Sequence, residues 1–328
     1  MRPLWPLLLL ATGCITNEYE VIEWDTVDVF FQNPMEKVDI LLVIDNSSSM
    51  EPHQEELGQH FQAFLTYFVE ADVNYHIAAV TTDSFAEDAG EIRGPIINAS
   101  TEDAAEVFAE IVAVGIDGSS REMGLEAARL ALTEPTLSGA NAGFLRDEAA
   151  LSLIFVSDEE DSSWDPVADY INAYRQVKGQ RDREMFNASA MTAVDLDACA
   201  EAEITIATPG SRYVDVAQQT GGVSGDLCAV DFESVVVDLS LNSSRLWDVF
   251  WLSTNPDAGQ LELSMNDEVL PCDVGWWSYE RRADETGEER PAIVFDRDHI
   301  PPSGSHIVVR YYQGGGDPEA FCTDQAAR

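Results

Sequence analysis

The sequence predicts an α/β fold, a doubly wound and mostly parallel sheet, followed by a small all-β, sandwich-like domain. Three observations carry that expectation. Near-continuous aliphatic runs at 38–44 and 149–157 suit strands buried on both faces of a parallel sheet. Stretches of helical period alternate with such runs up to about residue 240. Beyond that point the alternation stops, and short strand-like runs are separated by Pro, Gly, Asn and Asp.

Taken in order, the run from Val38 to Ile44 is the first sheet strand and ends in the polar loop Asp45-Asn46-Ser47-Ser48-Ser49. Pro52 fits a helix first turn, and Leu57, Phe61, Phe64, Leu65, Phe68 and Val69 recur at helical spacing, which predicts one amphipathic helix over 53–70. Residues 75–81 form the second strand and 92–97 a short third. Ser100 with Asp103 resembles a capping box for a helix over 101–112. A Gly-Ser loop at 115–120 leads to a helix at 121–132, and the buried strand 149–157 ends in an acidic run through Ser163. A helix at 166–178, a strand at 187–194, a helix at 211–220 stopped by Gly221-Gly222, and the stretch 232–239 complete the series. In the β region, 246–253, 261–265, 292–295 and 306–312 read as strands, and Trp276, Trp277 and Tyr279 are expected to pack its core rather than stack on a ligand.

Length agrees with two domains, since 328 residues compare with roughly 150 per domain. Hydrophobic residues at 45% supply real cores and exclude wholesale disorder. Lys and Arg number 18 against 60 Asp and Glu, a formal charge of −42. Such a surface repels phosphate backbones and anionic headgroups, so nucleic acid is excluded as a partner and divalent cations are natural complements.

The N-terminus sets the compartment. Met1-Arg2 and the short apolar stretch to Leu10 read as a secretory signal, too brief to span a bilayer. The small residues ending in Gly13-Cys14 resemble a bacterial lipobox, although Ala11 stands where that class usually has Leu. The resemblance implies cleavage after residue 13, acylation of Cys14 and an acidic tether over 14–37, with an outer-membrane lipoprotein in the cell envelope as the expected location. Membrane contact is then through the lipid anchor alone. An ordinary signal peptide cut at a nearby small residue is the alternative. The remaining cysteines, Cys199, Cys228, Cys272 and Cys322, are even in number and lack CxxC spacing. Of three pairings, Cys199–Cys228 and Cys272–Cys322 are favoured because each falls within one domain, 38–240 or 241–328.

In an open α/β sheet, ligands bind at the carboxyl ends of the strands. Three loops there carry oxygen donors: Asp45, Ser47 and Ser49 in the first, Ser119 and Ser120 in the second, and Asp158 in the third. Hydroxyl and carboxylate oxygens suit magnesium or calcium, and no His or Cys joins them. Each piece alone also fits an ordinary cap or turn; the three together, in order, favour a metal site.

The aliphatic strand followed by Asp45-x-Ser47-x-Ser49 resembles the first element of a von Willebrand factor type A domain with its metal-ion-dependent adhesion site. Gly118-Ser119, with Gly124-Leu125 opening the next helix, matches the family's Thr loop with Ser in place of Thr, Ser120 being the alternative register. Asp158 matches its final aspartate, but Glu159 stands where Gly is common. The resemblance covers about 38–240. It implies Ser47 and Ser49 as direct ligands, Ser119 and Asp158 completing the site, and Asp45 acting mainly through water and hydrogen bonds. It further implies a protein partner that supplies a carboxylate to the ion. Asp161 and Asp165 could hold a second calcium, although a solvated acidic face is the favoured reading.

These readings lead to a lipid-anchored binding or adhesion protein and not an enzyme. The alternatives are an envelope protein whose metal only stabilises the fold, and a phosphotransferase with Asp45 as nucleophile, which generally needs a second acidic residue where Ser47 stands. His53 and His60, seven apart, are expected on a helix surface.

Overall fold

A computed structural model of the chain describes residues 24–32, 36–70, 73–179, 185–194, 199, 209–229, 231–272, 275–284 and 288–314. Cys14, Cys322 and the signal segment therefore lie outside the described residues. No helix among those residues is long and apolar enough to cross a membrane.

A five-stranded, all-parallel sheet forms the first unit. Its strands are β2 (Lys37–Ile44), β3 (Asn74–Thr81), β4 (Ala150–Ser157), β5 (Phe186–Thr192) and β6 (Ser224–Asp226), in spatial order β3-β2-β4-β5-β6. Side chains alternate along β2. Val38, Ile40, Leu42 and Ile44 enter the core under α1 (Glu51–Gln59), α2 (Phe61–Glu70), α3 (Ala104–Val112) and α7 (Phe232–Ser244). Leu41 and Val43 enter the opposite core, under α4 (Gly124–Ala131), α5 (Val167–Val177) and α6 (Ser211–Thr220). Both faces are covered, which is why these strands read as unbroken aliphatic runs.

The order reverses at β2, since the chain goes from β2 to β3 on one side and then crosses back to β4 on the other. That reversal opens a crevice at the carboxyl ends of β2 and β4, and there Asp45 and Asp158 immediately follow their strands.

Several expectations need correction. The helix over 53–70 is two helices that turn at His60, because α1 lies against α3 while α2 lies against α7. The strand over 92–97 shrinks to a single antiparallel bridge between Ile77 and Ile97. Pro95 has no N–H to donate, and Gly94 sits at a φ of 69°, so no longer ladder forms. His53 is buried rather than on the helix surface.

The largest correction concerns the tether. Residues 26–31, expected within it, form strand β1 (Thr26–Phe31), which pairs antiparallel with β12 (His306–Gln313). One antiparallel sheet has the order β1-β12-β8-β9, with β8 at Pro256–Met265 and β9 at Glu268–Val269. A second has β10 (Trp277–Ala283), β11 (Glu289–Phe295) and β7 (Val249–Trp251). Leu261, Leu263, Ile307 and Tyr311 of the first sheet share one core with Phe250, Tyr279, Ile293 and Phe295 of the second. The parallel-sheet unit is thus an insertion between β1 and β7 of this sandwich. Gln32, wholly buried, ties the two crossings: its amide nitrogen donates to the carbonyls of Trp247 (2.8 Å) and Pro301 (3.2 Å), and its amide oxygen accepts from the Trp247 N–H. Trp277 and Tyr279 are buried as expected, whereas Trp276 is exposed and stacks on His299 at 5.0 Å. Cys199 is joined to Cys228, as expected, beside β6. Cys272 is also disulfide-bonded.

At the amino end of β2 lies a buried charge cluster that the aliphatic pattern concealed. Asp39 accepts from the Arg146 backbone N–H and Nε, each at 2.7 Å, with Lys178 Nζ at 3.9 Å. Burial outweighs both cations and leaves the Asp39 carboxyl above its usual range. Removing one partner of such a pair strands the other, so Arg146→Ala is expected to lower stability by about 3 kcal/mol in urea unfolding, and Asp39→Asn should restore part of it. The cluster is about 20 Å along β2 from Asp45, so cation uptake should be unchanged; a loss under 1 kcal/mol would contradict this role.

Candidate metal centre

The first loop is held by its own backbone. Asp45 N–H donates to the Val156 carbonyl at 2.9 Å, continuing the β2–β4 ladder one residue past the strand. The Asp45 side chain is wholly buried; one carboxylate oxygen accepts the Ser47 N–H at 2.7 Å and the other the Ser157 hydroxyl at 2.6 Å. The Ser47 and Ser49 hydroxyls lie 3.0 Å apart. Gln54 of α1 braces this loop from behind, donating to the carbonyls of Asp45 and Gly115 at 2.9 Å each.

The second loop docks onto the first. Gly118 N–H donates to the Asn46 carbonyl at 2.9 Å, and a Cβ at Gly118 would fall 2.3 Å from Asn46 Cγ, so a side chain there would have to push the Asn46 amide aside. Ser119 follows at once; its N–H donates to the Asp83 carboxylate at 3.2 Å and its hydroxyl accepts the Arg121 N–H at 3.1 Å. Ser120 is exposed.

The third loop brings Asp158 to the same place. Its carboxyl is buried, accepts a hydrogen bond from the Ser49 side chain, and leaves Oδ1 with no donor. Burial raises its pKa, the Ser49 bond opposes that, and the Asp45 carboxylate adds to it. Thus the structure brings Asp45, Ser47, Ser49 and Asp158 into one bonded group, with Ser119 on the adjoining turn. The loop beyond is braced by α6: Glu160 accepts from the Ser211 and Arg212 N–H groups, and Arg212 Nε pairs with Asp161 at 2.8 Å. Asp161 also accepts from the Leu125 N–H and the Ser163 hydroxyl. It is a buried clamp between loop and helices, neither a solvated residue nor one free for a second calcium; Asp165 is exposed.

Sequence reasoning placed Glu159 beside Asp158 but missed Glu122 and Thr82 as neighbours of the site. Thr82 directly follows β3, so the strand-end rule could have found it. Glu122 is buried and takes the Thr82 hydroxyl. Burial first, then the Asp45 carboxylate, push Glu122 up to about 9. Burial, Asp45 and Asp158 also raise Glu159. Burial lowers the His53 pKa against the pull of Asp45.

Hard oxygen donors, acids raised by burial and by the Asp45 carboxylate, and carboxylate oxygens without donors suit a divalent cation. The base of the site is buried while Ser49 and Ser120 at its rim are exposed, so a bound ion would face solvent on one side. Asp45 is inaccessible to solvent, and both its oxygens accept hydrogen bonds. Among the described residues, one group of Cys, His, Asp or Glu has three ligand atoms within 4.8 Å of one another: Cys199, Asp226 and Cys228. Its two sulfurs are in the disulfide, so it offers no thiolate.

This geometry defines a doubly wound α/β unit with oxygen-donor loops at its topological switch point, set into an antiparallel sandwich. The sequence matches no known family model and no curated protein. Solved structures are similar in part. The pilus adhesin SpaC from Lactobacillus rhamnosus GG, in its open conformation, aligns at a TM-score of 0.44 and 11% identity over 87% of this chain and 40% of the adhesin. Proximal thread matrix protein 1 from the mussel byssus, with a zinc-occupied MIDAS motif, aligns at 0.37 and 16% over 65% of this chain and 48% of that one. A von Willebrand factor type A protein from Catenulispora acidiphila aligns at 0.33 and 12% over 88% of this chain and 65% of that one. This chain spans less than two thirds of the length of each. Likeness at these TM-scores does not define a family or a function.

The acids set a pH dependence. Glu122 binds its proton more tightly folded than unfolded, so its contribution is fully present below its ordinary value of 4.5 and is lost as pH rises through about 9. In chelator, the melting temperature should fall from about pH 5 to about pH 9. A divalent ion should flatten that fall, because its charge replaces the proton's. Equal slopes with and without ion, in melting curves followed by fluorescence, would contradict the assignment.

Proposed function

We propose that this chain is a lipid-anchored, extracytoplasmic binding protein of the von Willebrand factor A type. It engages a protein ligand through a divalent cation, Mg2+ or Ca2+, held by Asp45, Ser47, Ser49, Ser119 and Asp158. The observation that carries this is the convergence of the loops after β2 and β4 with the turn between α3 and α4, around buried carboxylates that no positive side chain pairs with among the described residues. A cation supplies that charge and, at a rim open to solvent, keeps room for one outside oxygen. A carboxylate from the partner suits that position. Its approach is opposed at long range by the chain's charge of −42, so the partner surface around that carboxylate should be basic.

Anchoring is assigned to an acylated Cys14 in the bacterial cell envelope, with the outer membrane as the expected site. With Thr26 already in the sandwich, the spacer from Cys14 is 11 residues, and the binding loops stand on the inserted unit. A purely structural metal remains the second reading, because an ion would also offset the buried charge of Asp45, Glu122 and Asp158. Catalysis is not part of this proposal.

Capture of a partner from the native surface fraction should require a divalent cation and be lost in chelator. Asp45→Ala, and Ser47→Ala with Ser49→Ala, should abolish capture while circular dichroism stays native. Unfolding of both variants, with no capture by the wild type, would favour the structural metal instead.

A further inference from the structure

The loops at the carboxyl edge of the parallel sheet carry two large aromatic side chains that no core uses. Phe85, in the loop after β3, is 56% exposed, and Trp164, in the loop after β4, is 59% exposed. Their rings meet edge to face at 6.1 Å, and the Arg121 guanidinium lies 5.9 Å from the centre of the Phe85 ring. All three are tied to the loops already described. One carboxylate oxygen of Asp83 accepts the Phe85 N–H at 2.9 Å, and the other accepts the Ser119 N–H at 3.2 Å. Arg121 N–H donates to the Ser119 hydroxyl at 3.1 Å, and its guanidinium donates to the Ser162 carbonyl at 3.4 Å. The backbone on either side of Trp164 is pinned. Ser163 N–H donates to Asp161 at 3.2 Å, and Arg212 donates to the Asp165 carbonyl at 2.8 Å.

A rigid patch of exposed aromatic surface beside a binding crevice marks a contact surface, and the charge at this one narrows what it contacts. The chain has 18 Lys and Arg against 60 Asp and Glu, yet the exposed Arg121 forms no ion pair among the described residues. A guanidinium left without a carboxylate among so many acids is open to one from outside. The rings stand at 83° to each other and Arg121 lies over Phe85, so the patch is a corner rather than the flat platform on which a sugar ring stacks. We propose that Phe85, Trp164 and Arg121 form a specificity surface for the protein partner, the two rings taking an apolar side chain and the guanidinium a neighbouring acidic one. This rests on the binding reading of the preceding subsection and adds contacts that need no metal. Trp and Arg are the residue types that dominate binding energy at interfaces, and rings held by braced loops lose little freedom when a partner docks. Short-range contact with Arg121 also offsets, at this point, the repulsion that the chain's total charge imposes on an acidic side chain at long range.

Random peptides displayed on phage, selected on the immobilised full-length protein in CaCl2 and MgCl2, supply a defined probe. Enriched sequences should pair an Asp or Glu with a neighbouring Leu, Ile, Met or Phe, and the same peptides are then synthesised for fluorescence anisotropy. Trp164→Ala and Phe85→Ala should each weaken their binding about tenfold or more. Cation uptake and melting temperature in these two variants should match wild type, because both side chains lie outside the cores. Arg121→Glu keeps the backbone bond to Ser119 and should reverse the preference, favouring the peptide with Lys in place of its acid; loss of a merely structural contact would not do so. If an alanine variant fails to fold, that reversal decides. No enrichment, enrichment of sequences without an acid, or binding indifferent to Trp164 and Arg121 would overturn the proposal. Trp164-dependent binding to a glycan or to phosphatidylcholine vesicles in place of peptide would overturn it too. Failure of the cation reading looks different: Trp164-dependent peptide binding that persists in chelator, with no divalent uptake, keeps this surface and removes the metal.

Discussion

The carboxyl groups of Asp45, Glu122 and Asp158 are buried near the point where the parallel sheet reverses its strand order, and among the described residues no positive side chain pairs with any of them. Burying acids in this way is costly unless each is hydrogen-bonded or neutralised. Much of the surrounding structure reads as a response to that cost. Ser157 and the Ser47 backbone saturate Asp45, Thr82 holds one oxygen of Glu122, and Ser49 reaches Asp158. Further donors are lacking where the loops face one another, and there the unfilled oxygens remain. At the other end of the same strand the chain solves a similar problem internally, surrounding Asp39 with Arg146 and Lys178. The contrast is informative: one buried acid carries its own cations, while among the described residues none pairs with the acids at the carboxyl edge.

The scaffold around that edge is braced by groups that never touch the site. Gln54 fixes the back of the first loop, and the Gly118–Asn46 contact fixes the second. Asp161 and Glu160 tie the third to α6 through Arg212 and Ser211. On the far side, α7 is joined to the sandwich by Arg297, whose guanidinium pairs with Asp238 at 2.6 Å and bonds the Ser234 hydroxyl. Because the α/β unit enters and leaves the sandwich between β1 and β7, two chain crossings rather than one connect them. Gln32 binds both crossings together, which restricts rotation of one unit on the other.

Where each residue's environment is set by its neighbours in sequence, the fold was readable. The aliphatic runs of β2 and β4, the helical spacing of α3 to α6, and Asp45, Ser47, Ser49 and Asp158 at strand ends all follow from local pattern and one topological rule. What escaped depended on distant partners. Residues 26–31 alternate Val27, Val29 and Phe31 with inward side chains, but their strand exists only because β12, some 280 residues later, offers an edge. Strand β10 was hidden by its charged outer residues Glu280, Arg281 and Arg282. Glu122 looked like any acid at the start of a helix. Its burial follows from the Thr82, Asp45 and Ser162 contacts, which local sequence does not encode.

The central claim is that these loops hold one hard cation at the reversal point of the sheet. Anomalous diffraction from a crystal soaked in Mn2+ tests it most directly, because the ion reports its own position. The account places a single strong peak bounded by Ser47, Ser49 and the carboxylate of Asp158, absent from a chelator-treated crystal. Density elsewhere on the acidic surface, with none between the three loops, would contradict it.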